Sequence, residues 1–351
     1  MSSEFGKKIK ISIFGESHGE AIGVVINNLP SGEKIDLLKL DEFMKRRQGG
    51  NNPYSTPRKE TDKIRFLSGI ANGYTTGAPL CGIIENNNTR SGDYNRDLPR
   101  PGHADYTAYA KYGSFTDHRG GGHFSGRLTA PLCIAGGILK QIMERRGINV
   151  ISHIYSIGKI FDTPFDMINP DINGVDTDFP VLNKDIKEKM QQEIINAKNE
   201  KDSVGGIIEC AITGLKAGVG EPIFDGIENK IAGLVFGIGA VKGIEFGIGF
   251  DASQMRGSLV NDPFIIENGQ IKTATNNHGG ILGGISSGMP VIFRTAFKPT
   301  PSIGKLQKTV SLSKMQEADL EIIGRHDPCI VPRALPCIES AGLIAIADFI
   351  L

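Results

Sequence analysis

The residues best suited to chemistry lie in one thirty-residue stretch, 100–129, with the sequence RPGHADYTAYAKYGSFTDHRGGGHFSGRLT. It holds three arginines, three histidines and a triple glycine at residues 120–122. Guanidinium groups match carboxylate and phosphate oxygens, and histidine changes its charge most easily near neutral pH. Glycines let backbone N–H groups approach a ligand closely. We therefore predict a site for a small ligand with several negative charges. A solvated glycine-rich loop with stray charges is the alternative.

Three other segments have the same character. His18 lies in GESHG (residues 15–19), where it either projects from a turn or bonds its own backbone. Residues 276–290 hold five glycines and two serines, and KPTPS follows at 298–302. Lysine, hydroxyl groups and glycines together favour a cradle for a phosphate or a cofactor. Near the C-terminus, GRHDPCIVPR (324–333) adds further cations, a histidine and Asp327.

A predicted amphipathic helix at 36–47 ends in Lys45, Arg46 and Arg47. Cations at a helix C-terminus are favoured by the helix dipole, so simple capping would explain them. The polar, glycine-rich loop that follows, 48–60, is also typical of a mobile lid over an anion site.

Hydrophobic periodicity gives the remaining elements. It predicts strands at 10–14, 80–85, 151–160 and 204–215, and helices at 130–146, 183–201 and 335–351. Pro336 is expected in the first turn of the last helix. Gly136 and Gly137 inside a buried helix predict that another element packs tightly there. Because the polar segments are spread from residue 15 to residue 333, we expect one interwoven domain, 1–351.

Composition excludes several classes of function. Lys+Arg and Asp+Glu both number 39, so no overall positive charge favours nucleic acid. The sequence contains no apolar run of membrane-spanning length and no signal-peptide pattern, and its five cysteines are scattered. These features predict a cytoplasmic protein with free thiols.

The motifs of nucleotide-binding proteins are missing from the sequence. GIGAVKG (237–243) is one residue too long for a dinucleotide fingerprint, and no P-loop is present. His118 and His123 fit no common metal site, so no metal is expected. The residues thus indicate acid–base chemistry on a phosphorylated or polycarboxylate metabolite.

At these residues the sequence resembles a known family, the chorismate synthases. The motifs that carry the resemblance appear in the family's order and cover nearly the full chain. They are FGESHG (14–19), RPGHADYT (100–107), RGGGHFSGRLTA (119–130), GGILGGISSG (279–288), KPTPSI (298–303) and GRHDPC (324–329).

The resemblance implies an α+β sandwich, with core helices between two antiparallel sheets, usually assembled as a homotetramer. It implies the last shared step of the shikimate pathway. In that step an anti-1,4-elimination of phosphate converts 5-enolpyruvylshikimate-3-phosphate into chorismate. Reduced FMN is required without net redox change, with NADPH as an indirect reductant or a separate flavin reductase as partner. No nucleic acid or membrane is involved.

Roles follow from the same motifs. His18 and His103 match the family's two catalytic histidines, one thought to keep the reduced flavin correctly protonated and the other to assist the departing phosphate. Asp327 matches the acid thought to help take the C6 proton. The resemblance and the charge pattern together give the substrate-binding candidates Arg46, Arg47, Arg100, Arg119, Arg127 and Arg333. The FMN-binding candidates are Arg47, His123, Phe124, Ser125, Gly239, Ala240, Gly283, Lys298, Pro299, Thr300, Pro301, Ser302 and Arg325.

Three departures from the family pattern concern the flavin. Many members have Arg-Ser-Ser where this chain has His123-Phe124-Ser125, and Gln48 and Pro53 replace arginines found in many members. The changes at 48 and 53 fall where some members contact nicotinamide, so they count against self-reduction of the flavin. Two alternatives stay open: a non-catalytic flavin- or phosphometabolite-binding protein, and a flavin oxidoreductase that consumes pyridine nucleotide at every turnover.

Overall fold

The structure of the protein is a computed structural model. It describes residues 3–49, 54–55, 62–86, 96–171, 174–175, 178–322 and 327–351. The helices in these residues are α1 (Leu37–Lys45), α2 (Asp105–Tyr112), α3 (Thr129–Glu144), α4 (Lys184–Asn199), α5 (Ile227–Phe236), α6 (Gly257–Val260) and α7 (Val331–Ile350). The strands are β1 (Glu4–Phe5), β2 (Lys10–Gly15), β3 (Ala21–Asn27), β4 (Ile64–Ser68), β5 (Ile70–Ala71), β6 (Tyr74–Thr75), β7 (Leu80–Glu85), β8 (Asn149–Ile157), β9 (Ile160–Phe161), β10 (Gly206–Thr213), β11 (Val241–Phe246), β12 (Phe264–Glu267), β13 (Gln270–Thr273), β14 (Ile281–Leu282), β15 (Ile285–Ser286), β16 (Val291–Phe297), β17 (Gln307–Ser311) and β18 (Gln316–Leu320).

Two antiparallel five-stranded sheets form the outer layers. The first has the order β1-β2-β3-β7-β4 and the second β11-β16-β10-β8-β9. Ile22, Val24 and Ile26 alternate along β3 and are fully buried, because a strand's successive side chains point to opposite faces. The first sheet therefore turns one apolar face inward.

Helices α3 and α7 fill the space between the sheets. Helix α3 packs on β3 and β7, α7 packs on β8 and β10, and the two helices pack on each other. The predicted close packing at the Gly-Gly pair is confirmed. A Cβ at Gly136 would lie 2.0 Å from Ser340 Oγ on α7, and one at Gly137 would lie 2.6 Å from Leu40 Cδ1 on α1. Only glycine allows both neighbours to approach α3 this closely.

The architecture confirms the expected α+β sandwich with helices between antiparallel sheets. The predicted elements are present, with ends shifted by a few residues, and Asp36 caps α1 by accepting from the Leu38 and Lys39 amides. One prediction was wrong. The last helix begins at Val331, so Pro336 lies in its second turn, while Pro332 occupies the first. A proline early in a helix removes few hydrogen bonds, so the pattern alone did not fix the start.

Candidate active site

The triple glycine joins the two catalytic-histidine candidates. Gly120, Gly121 and Gly122 have φ values of 61°, 86° and 53°, the left-handed region that other residues avoid. A Cβ at Gly120 would lie 2.6 Å from His18 Cε1, and one at Gly121 would lie 3.2 Å from His103 Cε1. The loop therefore lies directly against both imidazoles, and glycine is required by space as well as by conformation.

Two hydrogen bonds fasten this loop to the turn after β2. The Ser17 amide donates to the Gly122 carbonyl (3.1 Å). His123 Nδ1 lies 2.8 Å from the Gly15 carbonyl oxygen, and His123 Nε2 lies 2.8 Å from Ser3 Oγ. Since a carbonyl only accepts, Nδ1 donates to it. His123 thus ties the N-terminal segment to this loop.

His103 is oriented by a carboxylate. Its Nδ1 lies 2.6 Å from Asp105 Oδ1, at the start of α2. Arg100 donates from Nε and Nη2 to the same carboxylate, at 2.7 and 2.9 Å. Burial opposes ionisation of Asp105, but Arg100 and His103 hold its pKa well below the usual range. Asp105 therefore remains an anion that accepts a hydrogen bond from Nδ1, which leaves Nε2 as the reactive nitrogen.

A buried carboxylate organises two cations on the floor of the site. Asp62 Oδ2 accepts from Arg47 Nη1 (2.7 Å), and its Oδ1 accepts from Arg127 Nη1. Burial favours the neutral acid, yet Arg47 and Arg127 lower the pKa of Asp62. The Arg333 guanidinium joins this floor because its Nε donates to the Arg47 carbonyl (2.9 Å). Asp62 therefore fixes the positions of both guanidinium groups at the site.

Asp327 lies beside Arg333 and uses one of its two carboxylate oxygens to bond it. Its Oδ2 accepts from Arg333 Nη1 at 2.5 Å. Its Oδ1 is buried and has no hydrogen-bond partner within the described part of the chain. Burial raises the pKa of Asp327, although Arg333 acts in the opposite direction. A carboxylate with a raised pKa and an unused oxygen is suited to accept a proton.

These groups open onto one cleft of about 1050 Å³. Its polar wall brings together distant parts of the chain, namely His18, Arg47, Arg100, His103, His123, Arg127, Asp327 and Arg333. A second side is built from Gly239, Ala240, Lys242, Lys298, Thr300, Pro301 and Ser302, and Phe124 and Ser125 also line the space. Apolar side chains complete it, among them Phe5, Ile13, Leu132 and Phe297.

Several predicted site residues lie elsewhere. Arg46 forms a two-bond ion pair with the buried Glu339 (2.7 and 2.6 Å), and Arg119 is half exposed and bonds Asp117. Neither lines the cleft, and nor do Pro299 and Gly283, the latter lying in the turn between β14 and β15. Arg325 lies outside the described residues, as does most of the predicted lid 48–60. A role for these residues stays a prediction.

Sequence reasoning missed Asp62, Asp105's bond to His103, and the N-terminal Ser3, which bonds His123. Asp62 follows the basic loop without any motif of its own, and its two arginine partners are 15 and 65 residues away along the chain. The short spacing of His103 and Asp105 was the one available signal.

A family model described as "Chorismate synthase" matches residues 9–351. The chain belongs to the chorismate synthase family. It is therefore a member of an enzyme family of the lyase class, and the family's name connects it with the shikimate pathway.

Relatives within the chorismate synthase family are similar over their full length. A chorismate synthase of Lancefieldella parvula is 46% identical over 365 residues, covering 99% of this chain and 96% of that protein. One from Thermococcus kodakarensis is 45% identical over 350 residues, covering 99% and 97%. A solved structure, "Crystal Structure of Chorismate Synthase", superposes with a TM-score of 0.79 at 25% identity, covering 99% of this chain and 93% of that one. Among the described residues, no helix is both long and apolar enough to cross a membrane.

Proposed function

We propose that this protein eliminates phosphate from 5-enolpyruvylshikimate-3-phosphate in the cleft described above, in a 1,4-anti sense, and releases chorismate. The proposal rests chiefly on one observation: four arginines, two loop histidines and Asp327, from distant parts of the chain, meet around a single space. The substrate carries a phosphate and two carboxylates, which suit Arg47, Arg100, Arg127 and Arg333. Preorganised cations stabilise charge as it develops on the departing phosphate, usually the largest catalytic contribution.

The cleft also has features that fit reduced FMN. Burial and the neighbouring Lys242 lower the pKa of Lys298, as expected where two cations stand close together. A Cβ at Gly239 would meet no atom within 4 Å, so the backbone there is open to a ligand. The apolar side of the cleft suits an aromatic ring system. We assign Lys298, Thr300, Ser302 and the 239–240 backbone to the cofactor, which when bound supplies electron density to the bond that breaks.

The chain's own groups have separate tasks in this proposal. His103, oriented by Asp105, presents Nε2 as a proton donor to the leaving phosphate. His18 holds a proton near the cofactor. Asp327 is the final acceptor of the C6 proton through its unpartnered Oδ1. Arg333 keeps that carboxylate in place and favours its ionised form, while burial makes it basic enough to act.

The deciding experiment is anaerobic. The protein is mixed with 5-enolpyruvylshikimate-3-phosphate and FMN reduced by dithionite, and chorismate absorbance and phosphate release are followed together. Equal release of both products supports the lyase. Flavin binding without product supports a binding protein, and steady consumption of NADPH at each turnover supports an oxidoreductase.

A second arm addresses the source of electrons. Oxidised FMN with NADPH, without dithionite, gives chorismate only if the protein reduces its own flavin. The changes at Gln48 and Pro53 lead us to expect no product until a flavin reductase is added. Product at the dithionite rate would contradict that expectation.

We further propose a homotetramer in the cytoplasm. The hairpin β12–β13 exposes large apolar side chains: Phe264 (68%), Ile266 (81%) and Ile271 (72%). Such a patch is unfavourable in a monomer and typical of an interface. The five unpaired cysteines fit a reducing compartment. Light scattering should show four copies, and Ile266→Asp should dissociate them, whereas Met315→Asp, at an exposed turn, should not.

A further inference from the structure

Two buried cysteines face each other beneath the cleft. Cys133 on α3 and Cys337 on α7 have their sulfur atoms 3.7 Å apart, and both are free thiols. Cys337 lines the cleft, whereas Cys133 is fully buried behind it. The proposed lyase chemistry uses neither sulfur.

The helix packing explains why the sulfurs are so close. Gly136 lies three residues after Cys133 on α3, and Ser340 lies three residues after Cys337 on α7. A Cβ at Gly136 would lie only 2.6 Å from Ser340 Cα. The two helix backbones therefore nearly touch within one turn of the cysteines. A disulfide requires a sulfur separation of about 2 Å, so the sulfurs need to close by about 1.7 Å, which side-chain rotation and a small helix shift supply.

The environment makes the two sulfurs chemically different. Cys133 donates its S–H toward Cys337, and this bond, with the charges of Arg47 and Arg333, lowers the pKa of Cys337 despite its burial. Burial raises the pKa of Cys133, and also that of Cys81, Cys210 and Cys329. Because the thiolate is the nucleophile in thiol chemistry, Cys337 is the more reactive of the pair.

We propose that Cys337 and Cys133 form an oxidisable dithiol, which a small hydroperoxide entering through the cleft converts into a disulfide between α3 and α7. The Cys337 thiolate attacks the outer peroxide oxygen. The O–O bond breaks, an alcohol or water leaves after protonation, and Cys337 becomes a sulfenic acid. The Cys133 sulfur then attacks Cys337 and expels water. In sum, two thiols and one hydroperoxide give one disulfide, one alcohol (or water) and one water.

The disulfide would cross-link the two core helices directly below Arg47 and Arg333. Oxidation also removes the negative charge available on Cys337 beside those cations. Disulfide formation requires neither flavin nor substrate. A failure of the proposed lyase activity would therefore not contradict it.

The test uses the full chain and hydrogen peroxide. The protein is treated under native conditions, alkylated after unfolding, and mapped by mass spectrometry. We expect loss of two thiols, a peptide cross-link between Cys133 and Cys337, and full recovery of both thiols with dithiothreitol. If both remain reduced while the partly exposed Cys81 is oxidised, the proposal is overturned.

Variants separate the two roles. In Cys133→Ala, Cys337 should stop at the sulfenic acid and be trapped by dimedone. In Cys337→Ala, Cys133 should stay reduced because nothing reaches it from the cleft. Cys81→Ser is the matched control and should still form the cross-link. A dimedone adduct on Cys133 instead of Cys337 would contradict the proposal that Cys337 is oxidised first. The peptide map of the wild-type protein tests whether the disulfide forms even if a variant does not fold.

Discussion

His103 and His153 each bond a carboxylate, yet they lie in opposite surroundings. His103 stands at the cleft, with Nδ1 on Asp105 and its ring against Gly121. His153 on β8 is fully buried, with Nδ1 3.1 Å from Asp162 and Nε2 2.9 Å from Glu209. A His–Asp pair alone therefore does not mark a catalytic site.

The difference lies in what the second ring nitrogen meets. In His153 both nitrogens are taken by carboxylates, and Glu209 is held again by Arg294 at 2.8 Å. Burial opposes the charged ring, but Asp162 and Glu209 outweigh it and raise the pKa of His153. The buried network therefore stabilises one packing of the second sheet, whereas His103 lines the cleft, where a ligand can reach it.

Removing the buried histidine should give the largest effect. His153→Ala leaves Asp162 and Glu209 without their shared cation, and we expect a loss of about 3–5 kcal/mol in the free energy of unfolding. Turnover per folded molecule should remain normal. Urea denaturation measures the loss, and His278→Ala is the control, because His278 pairs with Asp262 at a partly exposed position and should cost below about 1 kcal/mol.

His103→Ala should show the reverse pattern. We expect turnover to fall at least ~100-fold, the usual range for loss of an acid–base group, with stability nearly unchanged. Steady-state kinetics with pre-reduced FMN gives the measurement. His118→Ala is the control from the same stretch, since His118 does not line the cleft. Near-normal turnover of His103→Ala would remove it from the mechanism.

Gly121→Ala tests the approach to His103 without changing the imidazole. A side chain at φ 86° is strained by about 1–2 kcal/mol, and its Cβ would meet His103 Cε1 at 3.2 Å. We expect a loss of turnover of about tenfold, equivalent to ~1.4 kcal/mol. Gly257→Ala, away from the cleft and at a site where a Cβ meets nothing within 4 Å, should keep wild-type turnover. Equal kinetics for the two variants would argue against this packing.

The pH dependence of stability should come from the buried histidine. The pKa of His153 is raised above its ordinary 6.5, so its stabilisation is complete below that value and is lost as pH rises through the folded-state pKa. A tenfold difference in proton affinity between the folded and unfolded states corresponds to about 1.4 kcal/mol. Unfolding free energies measured from pH 6.5 upward should fall for the wild type, and the fall should shrink in His153→Ala. A parallel decline in both proteins would contradict this.

Arg119→Ala should have the smallest effect of the set. Arg119 is half exposed, bonds Asp117 and lies outside the cleft, so we expect KM to change by less than about threefold, within the weak range of exposed ion pairs. Arg100→Ala, which removes a cleft cation, should raise KM far more. A large KM change in Arg119→Ala would return that residue to the substrate site.

Much of this molecule could be predicted from its sequence. Periodicity gave the principal strands and helices, because one face of each packs against the same core. The density of arginine, histidine and glycine at 100–129 indicated an anion site, since these types are poorly suited to a core. The six motifs indicated the family, which the full-length comparisons then showed.

Only the tertiary structure separated residues with the same local pattern. Arg46 and Arg47 are adjacent at one helix end, yet Arg46 bonds Glu339 on α7, while Arg47 bonds Asp62 and lines the cleft. Their partners are 293 and 15 residues away, and which one each side chain reaches depends on how α1 packs against α3 and how α3 packs against α7. Composition and motif therefore determined that an anion site exists, and long-range packing decided which cations form it.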